Sequence, residues 1–347
     1  MDSLTQAVLG GSVTYAVLGK RLGKRAALYG AALGTLPDLD VLIDFGGPIE
    51  NMTYHRGFSH AFVVQALAGS LLAWLAVRPR SLSDPFFLRW CLAIYLCFVT
   101  HTLADFFTVY GTQVLWPFTD YPFAHSLLFI IDPIYTLPLL VAFLGALLAK
   151  SIPRALSLNA WMLSLSTLYL IWSASAKVMI DDKVIAALEA QGVSLDIYES
   201  TPGPFNTFLW RGVAIEGNDY FEIWTSIFDD VDEVQVRRYP RNLELIEAVS
   251  DHPSVRRLQW FTKGQYKAWE SDNKIFISDL RMGVEGAYIF NFEVGLRKLS
   301  GIEIGSFQQL ERRPRLNQVG QVWRRIFDPT IAITERSQPI TNQSYDR

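Results

Sequence analysis

The chain has 347 residues, of which 50% are hydrophobic and 19% charged, and its mean hydropathy of +0.19 lies between that of a soluble enzyme and that of a protein wholly buried in lipid. The formal net charge is only −3 and the sequence has no long basic stripe, which argues against nucleic acid as a partner. Cys91 and Cys97 lie six residues apart in one apolar segment, a spacing that does not suit a metal pair.

Charged residues are distributed unevenly along the chain. Residues 1–180 hold 20 of the 65 charged residues, and the remaining 167 residues hold 45. The sequence therefore predicts a membrane-embedded domain over residues 1–180 and a water-soluble domain after it. The segment Met1-Asp2-Ser3 has no basic region ahead of its apolar stretch, so we expect the first helix to be retained and not cleaved as a signal peptide.

Six apolar stretches precede residue 180. Two are short and rich in glycine and alanine, at residues 4–19 and 26–36, and the second ends at Pro37. Four others approach or reach the roughly 20 residues that a bilayer crossing needs, at residues 60–77, 85–107, 127–149 and 155–176. The predicted fold is an α-helical membrane bundle of about six membrane helices, one of them short.

Basic residues between these stretches predict how the bundle is oriented. They fall in three turns, namely Lys20, Arg21, Lys24 and Arg25, then Arg78, Arg80 and Arg89, and finally Lys150 and Arg154. Alternating crossings place all three turns on one side, which is the cytoplasmic side by the positive-inside rule. The sequence thus predicts a multi-pass protein of the cytoplasmic (inner) membrane whose C-terminal domain is extracytoplasmic.

After residue 180 the pattern changes to that of an α+β, strand-rich soluble domain, assigned to residues 181–311, followed by a polar tail at 312–347. Stretches enriched in β-branched and aromatic residues predict strands at 214–228, 233–239, 254–261, 274–278 and 288–294. Short helices are predicted around residues 243–249 and 320–327.

The few ionisable residues of the membrane domain are grouped near one predicted membrane surface. Asp38 and Asp40 follow the second helix, His55 and His60 frame the next loop, and His101 and Asp105 share a helix face at a spacing of four. Intramembrane His and Asp residues are costly and usually functional. An alternative is that His101 and Asp105 only hold helices together, and that Pro37-Asp38 is only a helix stop.

Carboxylates and imidazoles without thiolates suit a divalent transition metal, with zinc favoured and manganese or iron as alternatives. The predicted ligands are Asp38, Asp40, His55, His60, His101 and Asp105, enough for one ion or for two ions that activate water for hydrolysis at phosphorus. Catalytic roles are assigned to Asp38, Arg56, His60 and Asp105, with Arg56 contacting an anionic substrate. Further candidates are Asp44, His125 and Asp132.

Four motifs carry a resemblance to a known family: Met1-Asp2-Ser3-Leu4-Thr5, Gly34-Thr35-Leu36-Pro37-Asp38-Leu39-Asp40, Tyr54-His55-Arg56-Gly57-Phe58-Ser59-His60 and His101-Thr102-Leu103-Ala104-Asp105. On these, residues 1–180 resemble the bacterial membrane-bound metal-dependent hydrolases, a family that includes an SOS-regulated inner-membrane protein. Segments such as Asp279-Leu280-Arg281-Met282-Gly283 resemble a longer subgroup with a C-terminal domain. Many relatives have a histidine where this chain has Gln6, so Gln6 is a further candidate, as a weak ligand or hydrogen-bond donor.

The expected function is a metal-dependent hydrolase that cleaves a phosphoester or ester of a membrane lipid or lipid-linked substrate. Two other functions use the same residues: a metal or proton transporter, and a membrane scaffold with a structural metal. A transporter should place ionisable groups along a path through the membrane, whereas these groups cluster at one end.

Overall fold

The computed structural model describes residues 1–79, 81–310 and 319–333. Arg80, one of the charges that predict orientation, lies outside these residues, and so do positions 312–318 and 334–347 of the predicted tail.

The N-terminal half is helical, as predicted. Its helices are α1 (Ser3–Leu22), α2 (Lys24–Gly34), α3 (Pro48–Tyr54), α4 (Phe62–Val77), α5 (Pro85–Phe106), α6 (Pro133–Leu148) and α7 (Ile152–Ala190). Two short 3-10 helices, Pro37–Leu42 and Phe58–His60, lie between α2 and α4.

Among the described residues, two helices are long and apolar enough to cross a membrane, α5 and α7. The segments Pro48–His60 and Phe62–Val77 together pass the same test but meet at an angle of 58°, which gives up to three crossings. The expected count of about six membrane helices is therefore not confirmed, because α1 is less apolar and α2 and α6 are shorter than a full straight crossing.

Helix α6 begins six residues later than predicted. Asp132 accepts hydrogen bonds from the backbone N–H groups of Ile134 (3.0 Å) and Tyr135 (3.2 Å), and Pro133 occupies the first helical position. An aspartate cap followed by proline is a strong helix start, so residues 127–132 remain non-helical although they are apolar.

Helices α1 and α2 pack closely because both present glycines at their contact. A Cβ atom added to Gly30 would lie less than 3.0 Å from the Gly10 carbonyl oxygen and from the Thr14 side chain.

We expect Gly30→Ala to lower the free energy of unfolding by about 1–3 kcal/mol, since neither helix backbone can move away without disturbing α5. Thermal unfolding in detergent measures this. The control is Gly320→Ala in a helix near the C-terminus, where a Cβ meets no atom within 4 Å and no loss is expected.

The C-terminal half contains two four-stranded antiparallel sheets. The first has the order β1-β2-β3-β4 and the second β5-β6-β7-β8. Their strands are β1 (Ile197–Pro202), β2 (Leu209–Glu216), β3 (Asp219–Ser226), β4 (Gln235–Pro240), β5 (Tyr266–Ser271), β6 (Lys274–Asp279), β7 (Asn291–Lys298) and β8 (Gly301–Ile304). Two helices, α8 (Pro253–Phe261) and α9 (Val319–Arg325), and two further 3-10 helices, at 231–233 and 243–249, accompany them.

The strand predicted at 254–261 is wrong, because these residues form α8. His252 caps the helix, Pro253 starts it, and Val255, Leu258 and Phe261 are buried at a spacing of three. That spacing belongs to a helix face and not to the alternation of a strand. The stretch predicted at 214–228 is divided between β2 and β3, which join in a tight turn at Gly217 and Asn218, where Gly217 has a φ of +54°.

Helix α7 continues past the predicted domain boundary at residue 180. Its last turns bury Ile180, Val184 and Leu188 in one cluster with Trp210 and Ile223 of the first sheet. The membrane domain and the first sheet are thus joined by an unbroken helix.

The second sheet covers the end of the bundle that carries the polar loops of residues 37–60. Tyr110 and α3 share a core cluster with α8 and β7. Polar contacts reinforce it: Ser254 Oγ donates to Glu50 Oε1 (3.2 Å), and Arg281 Nη1 donates to the Tyr110 carbonyl (3.2 Å). The C-terminal domain therefore lies at the same end of the bundle as those loops.

Candidate metal centre

Four predicted ligands from three separate segments converge on one point: Asp38, His60, His101 and Asp105. Asp38 lies in the 3-10 helix after α2, and His60 ends the 3-10 helix before α4. His101 and Asp105 project from one face of the last turns of α5. One donor atom from each residue lies within 4.8 Å of the other three donor atoms, so the group is compact enough to hold a metal ion.

The distances within this four-residue cluster are short. The two imidazole Nε2 atoms of His60 and His101 are 3.1 Å apart, and Asp105 Oδ2 lies 3.1 and 3.3 Å from them. Asp38 Oδ1 lies 3.3 Å from His60 Nε2 and 3.4 Å from His101 Nε2. His60, His101 and Asp105 are buried, whereas the Asp38 side chain is 21% exposed. The cluster therefore has one open side, at Asp38.

Hydrogen bonds on the outer ring nitrogens orient both imidazoles. His101 Nδ1 lies 2.7 Å from the Gly34 carbonyl oxygen, which can only accept, so Nδ1 carries the proton. Ser59 Oγ donates to Asp40 Oδ2 (2.6 Å) and so accepts from His60 Nδ1 (2.8 Å). Both Nε2 atoms can then present lone pairs to the cluster centre, which is how metal-binding histidines are usually held.

The donor set fits a divalent cation. Two imidazole lone pairs and two carboxylates facing one another repel unless positive charge lies between them. Within residues 1–79, 81–310 and 319–333, Asp38 Oδ1 is buried and accepts no hydrogen bond, so its acceptor capacity is free for a cation. Two nitrogen and two oxygen donors match the ligands that zinc takes in proteins.

Asp40 and His55 lie beside the cluster and not within the group of four. His55 Nδ1 is 2.7 Å from Asp40 Oδ1, and Asp40 Oδ2 accepts hydrogen bonds from the Arg56 backbone N–H (2.9 Å) and from Ser59. Burial alone would raise the pKa of Asp40, but the hydrogen bond and charge of His55 outweigh it and hold the pKa below its ordinary value. Asp40 thus stays a carboxylate that fixes the loop carrying His60.

We expect Asp40→Asn to weaken metal affinity about 10–100-fold without abolishing binding at saturating metal, because only the orientation of His60 is disturbed. Competition with a chelating indicator measures the change. Asp44→Asn is the matched control. Asp44 is exposed and accepts a hydrogen bond from the Gly46 N–H (3.0 Å), away from the cluster, so its replacement should leave the affinity unchanged. Equal affinities of the Asp40 and Asp44 variants would contradict this role of Asp40.

Asp105 has further partners that sequence patterns did not identify. Gln6 Nε2 donates to Asp105 Oδ1 (3.1 Å) and to the His101 carbonyl (3.3 Å), and the amino group of Met1 contacts the same carboxylate. Gln6 therefore supports Asp105 through hydrogen bonds, and its own amide oxygen is buried without a partner. Hydropathy and spacing gave no sign of either contact, and Gln6 was a candidate only because the family that the chain resembles often has a histidine at this position.

Arg56 lies between the cluster and the C-terminal domain. It is buried, its Nη2 lies 3.1 Å from Asp105 Oδ1, and its Nη1 donates to Thr108 Oγ1 (3.1 Å). The guanidinium stands 5.0 Å from the centre of the Tyr110 ring. Its Nε is buried and has no hydrogen-bond partner among the described residues, so within this part of the chain one donor of a fixed cation is free beside the cluster.

The remaining candidates lie elsewhere. Asp44 is on an exposed turn, and Asp132 caps α6 while accepting from Tyr169 OH (3.0 Å). His125 is exposed, stacks on Phe106, and lines a separate cavity of about 210 Å³ with Lys177 and Tyr198. None of the three belongs to the group of four.

Comparison with known proteins gives one finding. Residues 1–180, more than half of the chain, match the family described as YdjM inner membrane protein. No curated protein and no solved structure matches the chain. All four cluster residues fall within the matched region, and together with its apolar helices this match shows that the chain belongs to the YdjM inner membrane protein family.

Proposed function

We propose that this protein is a membrane-embedded, metal-dependent hydrolase that cleaves a phosphoester or ester of an amphipathic or lipid-linked substrate. The observation that carries the proposal is the cluster of two histidines and two carboxylates beside a buried arginine with a free Nε donor. A structural metal site needs no such cation, and although Asp105 compensates the charge of Arg56 through Nη2, the Nε donor has no partner among the described residues and could serve an anionic substrate oxygen.

The ligand set suggests one ion, with zinc favoured and manganese or iron as alternatives. Bound there, a divalent ion supplies Lewis-acid activation of water and of the scissile group. The buried His60, His101 and Asp105 supply two imidazoles and a carboxylate, the set common in zinc hydrolases. Asp40 and His55 are occupied with each other, which leaves a second ion without a complete set of donors among the described residues.

The chain's own residues divide the remaining work. Asp38, the partly exposed carboxylate at the open side, faces the other three donors through Oδ1, and its second oxygen is suited to accept a proton from the attacking water. Arg56 can donate through Nε to an anionic oxygen of the substrate, and Thr108 and Tyr110 hold its guanidinium in place. The second sheet, which covers this end of the bundle, limits the access of bulk water to the cluster.

An amphipathic substrate is favoured by the surface around Asp38. Leu39, Val41 and Leu42 follow it in the same 3-10 helix and are 50%, 67% and 78% exposed. Exposed leucine and valine side chains beside a membrane domain are more stable in contact with lipid than with water. The open side of the cluster can therefore be reached from the bilayer. Phospholipids and lipid-linked phosphates carry their polar group at the membrane surface, near which the cluster is predicted to lie.

The test is turnover by the purified protein loaded with zinc or manganese. We expect release of the headgroup or phosphate from at least one member of a panel of a phospholipid, a prenyl diphosphate and a long-chain carboxylic ester. Arg56→Met should reduce the rate about 10²–10³-fold while the metal content at saturating metal is unchanged, and Arg56→Lys should restore only part of the rate.

Two outcomes would contradict the proposal. Fully metal-loaded protein without turnover of any panel member would favour the scaffold with a structural metal. Zinc uptake into proteoliposomes without hydrolysis would favour the transporter.

A further inference from the structure

The C-terminal domain carries four aromatic rings in series that begin on the membrane helix α7, which we call the aromatic ladder. Trp172 of α7 lies 6.1 Å from Phe208, Phe208 stacks on Phe228 at 6.4 Å, and Phe228 stacks on Phe327 at 5.5 Å. The ladder thus runs from a candidate membrane span, across the β1–β2 loop, to the residues just after α9.

The first rung lies within the apolar length of α7. Leu168 and Ile171, which flank Trp172, are exposed apolar residues of this helix. Val178 is also exposed, and it lies about 9 Å further along the helix toward the C-terminal domain. The C-terminal domain contacts α7 at Trp172, because Thr207 Oγ1 accepts a hydrogen bond from Trp172 Nε1 (3.2 Å). Part of the C-terminal domain therefore lies alongside the apolar face of a membrane helix.

The last rungs are exposed although they are large and apolar. Phe228 is 59% exposed, Phe327 is 74% exposed, and Trp323 of α9 is 42% exposed. Large apolar rings left in water give up the favourable free energy of burial that a lipid or protein contact would supply. The neighbouring core does not need them, because Trp224, Val322 and Ile326 already fill it.

The exposed rings are also held in place. Arg325 donates through Nη1 and Nη2 to the two carboxylate oxygens of Asp229, at 3.0 and 2.6 Å, and both side chains are buried. Asp229 follows Phe228 directly, and Phe327 lies two residues after Arg325. This buried bidentate pair fixes α9 on the first sheet, so both phenylalanines face outward as part of an ordered surface.

We propose that the aromatic ladder lies in the interfacial region of the lipid bilayer, so that the C-terminal domain rests on the membrane surface beside the bundle. Aromatic side chains are enriched at this depth, and exposed phenylalanine and tryptophan anchor proteins that lie in the interface. A bilayer is the occupant that the geometry favours, because the ladder is continuous with the lipid-facing side chains of α7. This inference is independent of the proposed hydrolase activity.

The experiment measures the depth of a single label in the full chain. In a Cys91→Ser background, which keeps the buried Cys97, Phe327→Cys is labelled with an environment-sensitive fluorophore and reconstituted in phosphatidylcholine–phosphatidylglycerol vesicles. We expect strong quenching by lipids with a nitroxide near the headgroup and weak quenching by iodide. The control is Ala190→Cys, an exposed site at the end of α7 about 27 Å beyond Trp172, where iodide should quench strongly and the lipids weakly.

Phe228→Cys, labelled in the same way, provides a second reading if the Phe327 variant folds poorly. Quenching of both labels by iodide to the extent seen at residue 190 would overturn the proposal, because the ladder would then face water. Protection of both labels from iodide and from the nitroxide lipids would also overturn it, since a protein surface, such as a second copy of the chain, would then cover the ladder.

Discussion

Replacing His101 with alanine is expected to reduce the metal content of the purified protein from about one ion per chain to near zero. The substitution removes one of four donor atoms and leaves a cavity where Nε2 stood, 3.1 Å from its counterpart on His60. Two carboxylates and a single imidazole would then remain. With only one neutral donor, this set is too small to compensate for the water molecules that a transition metal gives up when it binds. Elemental analysis of protein purified in detergent measures the content, and Asp38→Ala should show the same direction of change.

The matched control is His125→Ala. His125 lies in the same half of the chain and near the same end of the bundle, but it is exposed and stacked on Phe106, outside the group of four. Its replacement should leave the metal content at the parental value. The thermal unfolding of the metal-free proteins should be similar for the parent, the His101→Ala variant and the His125→Ala variant. Retention of a full equivalent of metal by the His101 variant would show that the ion binds elsewhere.

The sequence alone identified the residue types and the region of the cluster, because ionisable side chains are so rare in apolar segments that each one is conspicuous. It did not separate the inner donors from the supporting ones. Asp38 and Asp40 are two residues apart, and on a helix such residues point to different sides. Whether the chain turns Asp38 or Asp40 toward His101 depends on the packing of α2 against α5, which no local pattern reveals. The contacts of Gln6 and Met1 with Asp105 were not predicted for the same reason, because they depend on how the N-terminal segment packs against α5.

Hydropathy predicted the helical half well and predicted element ends less well. Residues 127–132 are as apolar as the helix that follows, so only the Asp132-Pro133 pair marked the true start. The apolar stretch ends at residue 176 and strand-like patterns follow, so the domain boundary was predicted at residue 180. The helix instead continues, because Ile180, Val184 and Leu188 provide an apolar stripe of helical period that the first sheet covers.

The residue expected to matter most for the contact between the two halves is Arg281. It is buried, lies 2.6 Å from Asp279 through Nη2, and donates through Nη1 to the Tyr110 carbonyl of the membrane domain (3.2 Å). Its guanidinium also stands 5.1 Å from the centre of the Phe261 ring on α8. One cation thus joins a sheet, a helix of the C-terminal domain and the loop that carries Tyr110.

We expect Arg281→Met to lower the free energy of unfolding by about 3–5 kcal/mol, because Asp279 would be left as a buried charge without its partner. Thermal unfolding in detergent measures this, and limited proteolysis should show cleavage within the C-terminal half at lower protease concentration than in the parent. The metal affinity should fall as well, since Tyr110 stacks against Arg56 and Arg56 contacts Asp105. A loss of stability without any change in metal affinity would show that Tyr110 keeps its place without Arg281.

Arg256→Met is the control that separates this effect from the loss of a positive charge in general. Arg256 pairs with Asp251, and the two side chains are 65% and 93% exposed, so the pair should contribute less than about 1 kcal/mol. Adding Asp279→Asn to Arg281→Met should recover part of the lost stability, because the unpaired charge is then removed. Failure of this second substitution to recover any stability would mean that Arg281 acts mainly through the Tyr110 carbonyl, as one of several hydrogen bonds that join the two halves beside the apolar cluster.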